Sequence, residues 1–378
     1  MDKLVSIIEE ELNQLGALKV DAPLLHPKSL WLESGRWEKM NKELFSFEDR
    51  YHRQYCLQPT AEEMITKIFV GFGTPKRKSF PIMLYQTNHK FRDEMRPKFG
   101  LFRSREFLMN DLYTFDISKE EGLKTYTTLS ELYLRVLSGI LGLKVYVVEA
   151  DSGEIGGSVS HEYHVLNDCS DAIIYVCEKC KKAVDNTLFL KGHKPCGSCS
   201  ESFTELRSAE IAHTFQLGVE FSKKFRAVFG SDSVWMNCFG FGLGRIIAAA
   251  IDQLACEGNS IRLPLKVVPY KVAFVPPSVS TKGYNASSFA ESLISQLVET
   301  EQLKDDLFVD DRTKLSVARR ISSSADLGIP NIFVAGSFTA RSLKTTPLIE
   351  YFYAGPREAP RKVADLTHND LFELVKNL

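Results

Sequence analysis

The 378-residue chain has almost no net charge, because 47 Lys and Arg stand against 48 Asp and Glu and leave −1. That balance excludes a protein that grips nucleic acid through a global positive field, so any such contact must come from local patches. The chain also lacks an apolar run long enough to span a bilayer, which points to a soluble protein with no membrane partner. Its first sixteen residues lack the Arg-rich, acid-poor character of an organelle leader. They carry Asp2, Glu9, Glu10 and Glu11 beside an apolar face of Leu4, Ile7, Ile8 and Leu12, the pattern of an amphipathic helix. Internal repeats and low-complexity tracts are missing. The eight cysteines are unlike a secreted disulfide scaffold for a chain of this size, so a reducing compartment is expected.

What is present falls into two parts. Residues 1–262 mix helical and strand patterns without βα alternation. "PIMLYQTNHKF" and "LKVYVVEAD" read as strands and "TYTTLSELYLRVLSGIL" as a helix, which predicts an α+β domain on an antiparallel sheet. "EGNSIRLPLKVVPYK" has the turn residues and prolines of a linker. Beyond it, short β-rich runs ("VAFVPP", "LFVDD", "NIFVAG") alternate with helical stretches at 286–301 and 315–324. That pattern predicts a small α/β domain over 266–378.

The chemistry concentrates in a few stretches. "FRDEMRPKFGLFRSREF" gathers Arg92, Arg96, Lys98, Arg103 and Arg105, and Lys76 to Arg105 holds nine basic residues against two acids. Arginine forks bind phosphate bidentately and a phenylalanine ring can stack on a base, so this loop is a candidate nucleotide site; a solvated hairpin laced by salt bridges is the plainer alternative. Arg92 and Glu94, two apart, share one face of a strand end. In "NCFGFGLGRIIAAAIDQ", Gly240, Gly242 and Gly244 alternate before Arg245 opens an Ala-rich helix. Such glycines let a ligand approach the backbone, although a packing strand looks similar, and the pattern is not the GxGxxG of a dinucleotide turn. "CEKC" and "CGSC" set Cys177, Cys180, Cys196 and Cys199 at C-x2-C-x15-C-x2-C, the spacing of a structural zinc site within a module at about 173–205. Four cysteines leave zinc no open position; the competing reading is a remnant hairpin with four reduced thiols.

Together these stretches resemble motifs 2 and 3 of the class II aminoacyl-tRNA synthetases, with "LKVDAPLL" and its Pro23 resembling the end of motif 1. "YCLQPTAEEMIT", "REFLMNDLYTFD", "GGSVSHEYHVL", "EIAHTFQLGVEFS" and "MNCFGFGLGR" are similar to the bacterial and mitochondrial branch of the prolyl-tRNA synthetases, and "VDDRTKLSVARRISSSADLGIPNIFVAG" resembles that family's anticodon-binding domain. The resemblance implies a class II catalytic domain at 1–262, an anticodon-binding domain at 266–378, and ATP-dependent ligation of L-proline to its tRNA through a prolyl-adenylate. It implies ATP and Mg2+ as cofactors, the tRNA for proline and a second identical subunit as partners, and the mitochondrial matrix as location. Carried over residue by residue, Arg92 holds the α-phosphate and Arg103 the γ-phosphate. Phe107 and Arg245 sandwich the adenine, Glu94 fixes the base, and Glu210 and His213 fall at nucleotide-binding positions. Arg92 and Arg245 are the catalytic cations. Thr60, Glu62, His161, Phe215 and Cys238 line the proline pocket. Read without the family, His161 is a satisfied structural histidine and Cys238 a small core hydrophobe. The sequence departs from the family pattern by beginning inside motif 1, at Ala61, Asn110 and Ala212, and in "SFTARS" after "GIPNIFVAG". Arg312, Lys314, Arg319 and Arg320 are generic anticodon candidates. Two alternatives stay open: a synthetase-like accessory or nucleic-acid-binding subunit without catalysis, and an enzyme for another amino acid, for instance threonine; the cytoplasm is the alternative location.

Overall fold

The computed structural model describes residues 1–40, 42–97, 100–151, 159–168, 170, 172–192, 196, 199, 201–256, 260–279 and 282–378. They divide into two units, Met1–Ala249 and Ala250–Leu378. In chain order the strands of the first unit are β1 (Leu18–Lys19), β2 (Leu25–Pro27), β3 (Ser46–Glu48), β4 (Gln54–Leu57), β5 (Ile82–Phe91), β6 (Glu106–Asp116), β7 (Tyr146–Glu149), β8 (Val159–Leu166), β9 (Ala172–Cys177), β10 (Ala183–Asp185), β11 (Phe203–Gly218), β12 (Val228–Phe229), β13 (Asp232–Ser233) and β14 (Trp235–Gly242).

Nine of them form one sheet in the order β1-β5-β6-β14-β11-β8-β7-β10-β9. Its pairs are antiparallel except β1–β5 and β7–β10. The long strands β5, β6, β11 and β14 carry the β-branched and aromatic residues that favour a pleated surface. Alternation then sorts their side chains onto two faces. Trp31, Ile65, Phe69, Leu84, Tyr113, Phe115, Leu217 and Met236 form the core on one face, where Phe69 and Phe115 stack with centroids 4.2 Å apart. The other face meets the helix Lys119–Leu134, capped by Ser118 Oγ, which accepts from the Glu121 N–H at 3.3 Å. On that face Tyr133 stacks on Phe241 at 3.7 Å. Gly122 lets this helix approach closely: a Cβ there would lie 2.1 Å from Cδ1 of Trp235. The amphipathic N-terminal helix spans Asp2–Gln14 and buries Leu4, Ile8 and Leu12.

In the second unit, β15 (Val272–Val275), β16 (Leu307–Val309), β17 (Asn331–Val334), β18 (Ile349–Tyr353) and β19 (Arg361–Leu366) form a sheet in the order β16-β15-β17-β18-β19. β15 runs parallel to both neighbours, and the remaining pairs are antiparallel. "VAFV" is buried on both faces, Val272 and Phe274 against Leu293 and Leu297, and Ala273 and Val275 against Ala325 and Ile329. A continuous apolar run suits a strand covered on both sides. Of the basic residues proposed there, Arg320 is buried and donates to the Asp310 carbonyl at 3.1 Å, and Arg312 forks onto the Asp310 carboxylate at 2.9 and 2.6 Å. Arg320 is therefore a structural cation of this unit; Lys314 and Arg319 are exposed.

Candidate active site

A cavity of about 450 Å3 opens on the core-bearing face of the first unit's sheet. The strand register sets the residues of this face in rows, of which Asp111, Gly240, His213, Glu162, Tyr113, Cys238 and Phe215 line the cavity. Gln86, Asp111, Gly240, His213 and Glu162 lie side by side across β5, β6, β14, β11 and β8, and Leu84, Tyr113, Cys238, Phe215 and Ser160 form the next row. Gly240 and Gly242 face the cavity without side chains, which leaves the floor open between flanking strands.

At one end the helix Glu62–Gly71 begins with two buried carboxylates. Thr60 Oγ1 donates to Glu62 Oε2 at 2.6 Å, and the Cys238 thiol approaches Glu62 Oε1 at 3.6 Å. Arg36 Nη1 reaches Glu62 Oε2 at 3.2 Å and Glu63 Oε1 at 3.0 Å. Burial alone would raise the Glu62 carboxyl's pKa, but Arg36 and the Thr60 hydroxyl outweigh it and hold it below the usual range. Glu63 moves the other way: burial and the neighbouring Glu62 charge raise it against the opposing pull of Arg36. Burial pushes the Cys238 thiol far above its ordinary value, so it stays neutral. Beneath this end lies a second buried ion pair, Lys90 to Asp111 at 2.7 Å. Lys90 also donates to Gln58 Oε1 at 2.7 Å, and Gln86 donates to Asp111 Oδ2 at 3.0 Å. Burial and the Lys90 charge lower the His26 imidazole to about 4.

The other end is cationic. Arg92 leaves the end of β5 with its guanidinium 5.3 Å from the Phe107 ring centroid and its Nε donating to the Pro59 carbonyl at 3.2 Å. Burial, and then repulsion from Arg245, depress its pKa. Two half-buried arginines that face one cavity, with no carboxylate paired to Arg92 among the described residues, suit an anion there. Arg103 pairs with Glu94 at 2.8 Å. Arg245, at the start of the helix Leu243–Leu254, donates to the Phe102 carbonyl at 2.8 Å and to Glu210 Oε2 at 2.9 Å. His213 Nδ1 lies 2.9 Å from the other Glu210 oxygen, its Nε2 lies 2.6 Å from Ser160 Oγ, and its ring stacks on Phe215 at 3.8 Å. Burial would raise Glu210, but its bond to His213 and the charge of Arg245 hold it well below the usual carboxylate range.

A model of the class II tRNA synthetase core domain (G, H, P, S and T) matches residues 45–254. The probable mitochondrial proline–tRNA ligase of Rattus norvegicus is 38% identical over 341 residues, 89% of this chain and 71% of that protein. That of Homo sapiens is 36% identical over 381 residues, covering 99% and 78%. The chain belongs to the proline–tRNA ligase family. A bacterial member, the proline–tRNA ligase of Ehrlichia ruminantium (strain Gardel), is 31% identical over 357 residues, 90% of this chain and 81% of that protein. In fold, the chain matches the Giardia lamblia prolyl-tRNA synthetase in complex with prolyl-adenylate with a TM-score of 0.76 at 17% identity, over 100% of this chain and 72% of that one.

Of the residues the proline–tRNA ligase resemblance singled out, Thr60, Glu62, Arg92, Glu94, Arg103, Phe107, Glu210, His213, Phe215, Cys238 and Arg245 all line this cavity. His161 does not. It pairs with Thr214 on the opposite face of the sheet, where its Nδ1 lies 2.7 Å from the Tyr126 hydroxyl. The expectation that it lines the pocket is corrected by strand parity: its neighbour Glu162 turns into the cavity instead. Sequence reading also missed Arg36, Lys90 and Asp111. Their partners lie 21 to 27 residues away (Arg36–Glu63 27, Lys90–Asp111 21), beyond any local pattern.

Two clusters among the described residues could hold a metal: Glu162, Glu210 and His213, and the four cysteines 177, 180, 196 and 199, each with ligand atoms within 4.8 Å of one another. The cysteines sit on two turns. Lys181 N–H donates to the Cys177 carbonyl at 2.9 Å and Cys199 N–H to that of Cys196 at 3.2 Å. Sulfurs 177 and 199 are 3.3 Å apart, and 180 and 196 are 3.1 Å apart. Tetrahedral zinc with sulfur at ~2.3 Å spaces its ligands at about 3.8 Å, so small shifts accommodate it.

Proposed function

We infer that the chain activates L-proline with ATP and transfers it to tRNA, and the observation that carries this is a single cavity joining a Thr60–Glu62–Cys238 end to an Arg92–Arg103–Arg245 end. In the first step the proline carboxylate attacks the α-phosphorus and pyrophosphate leaves. In the second the tRNA's terminal ribose hydroxyl attacks the adenylate's carbonyl carbon and AMP leaves. No side chain acts as nucleophile, so catalysis rests on positioning and on cations facing the charge that develops on the phosphate.

The roles in this reading are those the family resemblance implies, carried onto the residues that line the cavity. Glu62 and Thr60 receive the secondary ammonium, and Phe215 and Cys238 pack on the ring. Arg92 grips the α-phosphate and Arg103 the γ-phosphate, Phe107 and Arg245 enclose the adenine, and Glu94 contacts the base. Glu210 and His213 fix Arg245 and the nucleotide. Glu162 and Glu210 offer the hard oxygens that Mg2+ takes, and the metal would neutralise phosphate charge there. Zinc at the four cysteines would be saturated by thiolates and act structurally. The second unit, Ala250–Leu378, is the anticodon-binding domain in this reading. Support for a homodimer is the motif 1 resemblance around Pro23, beside the exposed Leu18 and Leu25. The mitochondrial names of the rat and human relatives support that compartment.

ATP–pyrophosphate exchange measured with each of the twenty amino acids tests the reading. Exchange with proline alone is expected. Exchange with threonine instead would change the amino acid, and exchange with none would make the chain a non-catalytic subunit.

A further inference from the structure

We propose that Arg36 is a positioning residue for proline recognition, holding Glu62 ionised and oriented so that its free oxygen receives the substrate ammonium. This rests on the proline-binding reading of Thr60 and Glu62.

The geometry separates the two oxygens of Glu62. Oε2 is occupied by Arg36 Nη1 at 3.2 Å and Thr60 Oγ1 at 2.6 Å. Oε1 has the Cys238 thiol at 3.6 Å, and a thiol is a weak donor. An incoming N–H therefore finds one oxygen already tied and the other available. Arg36 cannot swing away, because its guanidinium lies 5.3 Å from the Trp31 ring and 5.5 Å from that of Phe221, and its Nη2 reaches Met40 Sδ at 3.1 Å. Aromatic walls fix a planar guanidinium in a way that they cannot fix an ammonium.

Charge gives a second argument. Arg36 is 5% exposed, and Glu62 and Glu63 at most 1%. The neighbouring buried pair, Lys90 and Asp111, is balanced. One guanidinium between two carboxylates leaves a place for one more positive charge, either a proton on Glu63 or a cationic ligand at Glu62. A secondary ammonium with two N–H donors meets that demand at the one open oxygen. Without Arg36, Glu62 would take up a proton rather than remain a buried unpaired anion, and a protonated carboxyl repels no cation but offers it little attraction.

A purely structural Arg36 would lower the melting temperature and disturb both substrates alike. A positioning Arg36 acts through Glu62 and on proline alone. The test is ATP–pyrophosphate exchange by R36M, R36K, E62Q and R36M/E62Q, with thermal melts of each. R36M should raise the KM for proline about ten- to a hundred-fold while the KM for ATP stays within about twofold. R36K, which keeps the charge but not the fork, should recover part of the loss. For proline the double variant should be no worse than E62Q, because in this proposal Arg36 acts on proline only through Glu62. An unchanged proline KM in R36M, an equal rise in the KM for ATP, or losses that multiply in the double variant would overturn the proposal. If R36M does not fold, R36K decides: a raised proline KM with a native melt supports the role, and an unchanged one overturns it. A normal proline KM in E62Q overturns the reading of Glu62 itself, whereas an impaired E62Q beside a normal R36M overturns only the role of Arg36.

Discussion

Arg245 and Glu210 meet at 2.9 Å across the junction of β14's following helix and β11, so the guanidinium is fixed by the protein before any nucleotide arrives. Preorganisation of this kind spares the reaction the cost of orienting a cation. Arg245→Ala and Arg92→Ala should each cost roughly 3–4 kcal/mol of transition-state stabilisation. Pyrophosphate exchange should fall to near background in both, with native thermal melts. Near-normal exchange in either variant would remove that residue from the ATP site.

Two buried groups give opposing pH signatures. His26 is held at about 4 by burial and Lys90, so its neutral ring belongs to the folded state. Its contribution is present above pH ~6.5 and is lost as pH falls toward 4. Asp116 is pushed by burial up to about 6 despite its bonds to Thr125 and Thr114. Its contribution is complete below pH ~3.9 and is lost as pH rises through 6. Each is worth on the order of 3 kcal/mol and they partly cancel, so they are visible by difference. In urea unfolding of the catalytic unit between pH 4 and 7.5, D116N should gain stability at neutral pH and show a steeper rise with pH. H26N should lose the rise. Identical slopes in wild type and D116N would refute the assignment.

Cys177→Ser should lose the zinc that elemental analysis is expected to find at about one per chain. Hydrogen exchange should then quicken in β9 and in the half of β11 that pairs with it, Phe203 to Ser208. Exchange activity should fall only in part, since a fully ligated metal does no Lewis-acid chemistry. Zinc-free protein, purified under reducing conditions with unaltered exchange protection, would favour the remnant hairpin.

Alanine is smaller than proline, so a pocket that admits proline should also admit it, and lost methylenes supply only about 1–3 kcal/mol of discrimination. Misactivation is expected. Among its described residues, the segment between β8 and β11 holds β9, β10 and the short helix Asn186–Leu190, with Ile174, Val176 and Ala183 packed on Val148. That cluster is small for a second hydrolytic domain. Preformed Ala-tRNA of the proline acceptor type should therefore deacylate at its spontaneous rate in the presence of the protein. Faster, protein-dependent hydrolysis would reveal an editing site.

Much of the site was legible because its residues sit in short motifs whose spacing survives translation into strands. Arg92 and Glu94, Gly240 and Gly242, and His213 and Phe215 each differ by two and share the cavity. His161 shows where the reading went wrong. In "SHEYHV" the apolar Tyr163 and Val165 have one parity, and Ser160, Glu162 and His164 the other. That pattern groups His161 with Tyr163 on one face and Glu162 on the other, without saying which face holds the cavity. The register of β8 against β11, shifted between Glu210 and Ala212, decides which side holds the cavity, and no local stretch encodes it. Arg36 was illegible for a different reason: an arginine in "ESGRW" looks like any surface cation until its two acids and two rings assemble around it.

The stacking of His213 on Phe215 bears on how such a pocket can be re-engineered. In the proposed reading one ring serves the nucleotide end of the cavity and the next the amino-acid end, and both line the cavity from one strand. Enlarging or shrinking the side chain at 215 to admit a different amino acid removes the support of the imidazole that braces Glu210, and through it Arg245. If the proposed roles hold, variation at 215 alone should impair ATP use as well, and searches for altered substrates should vary 160, 213 and 215 together.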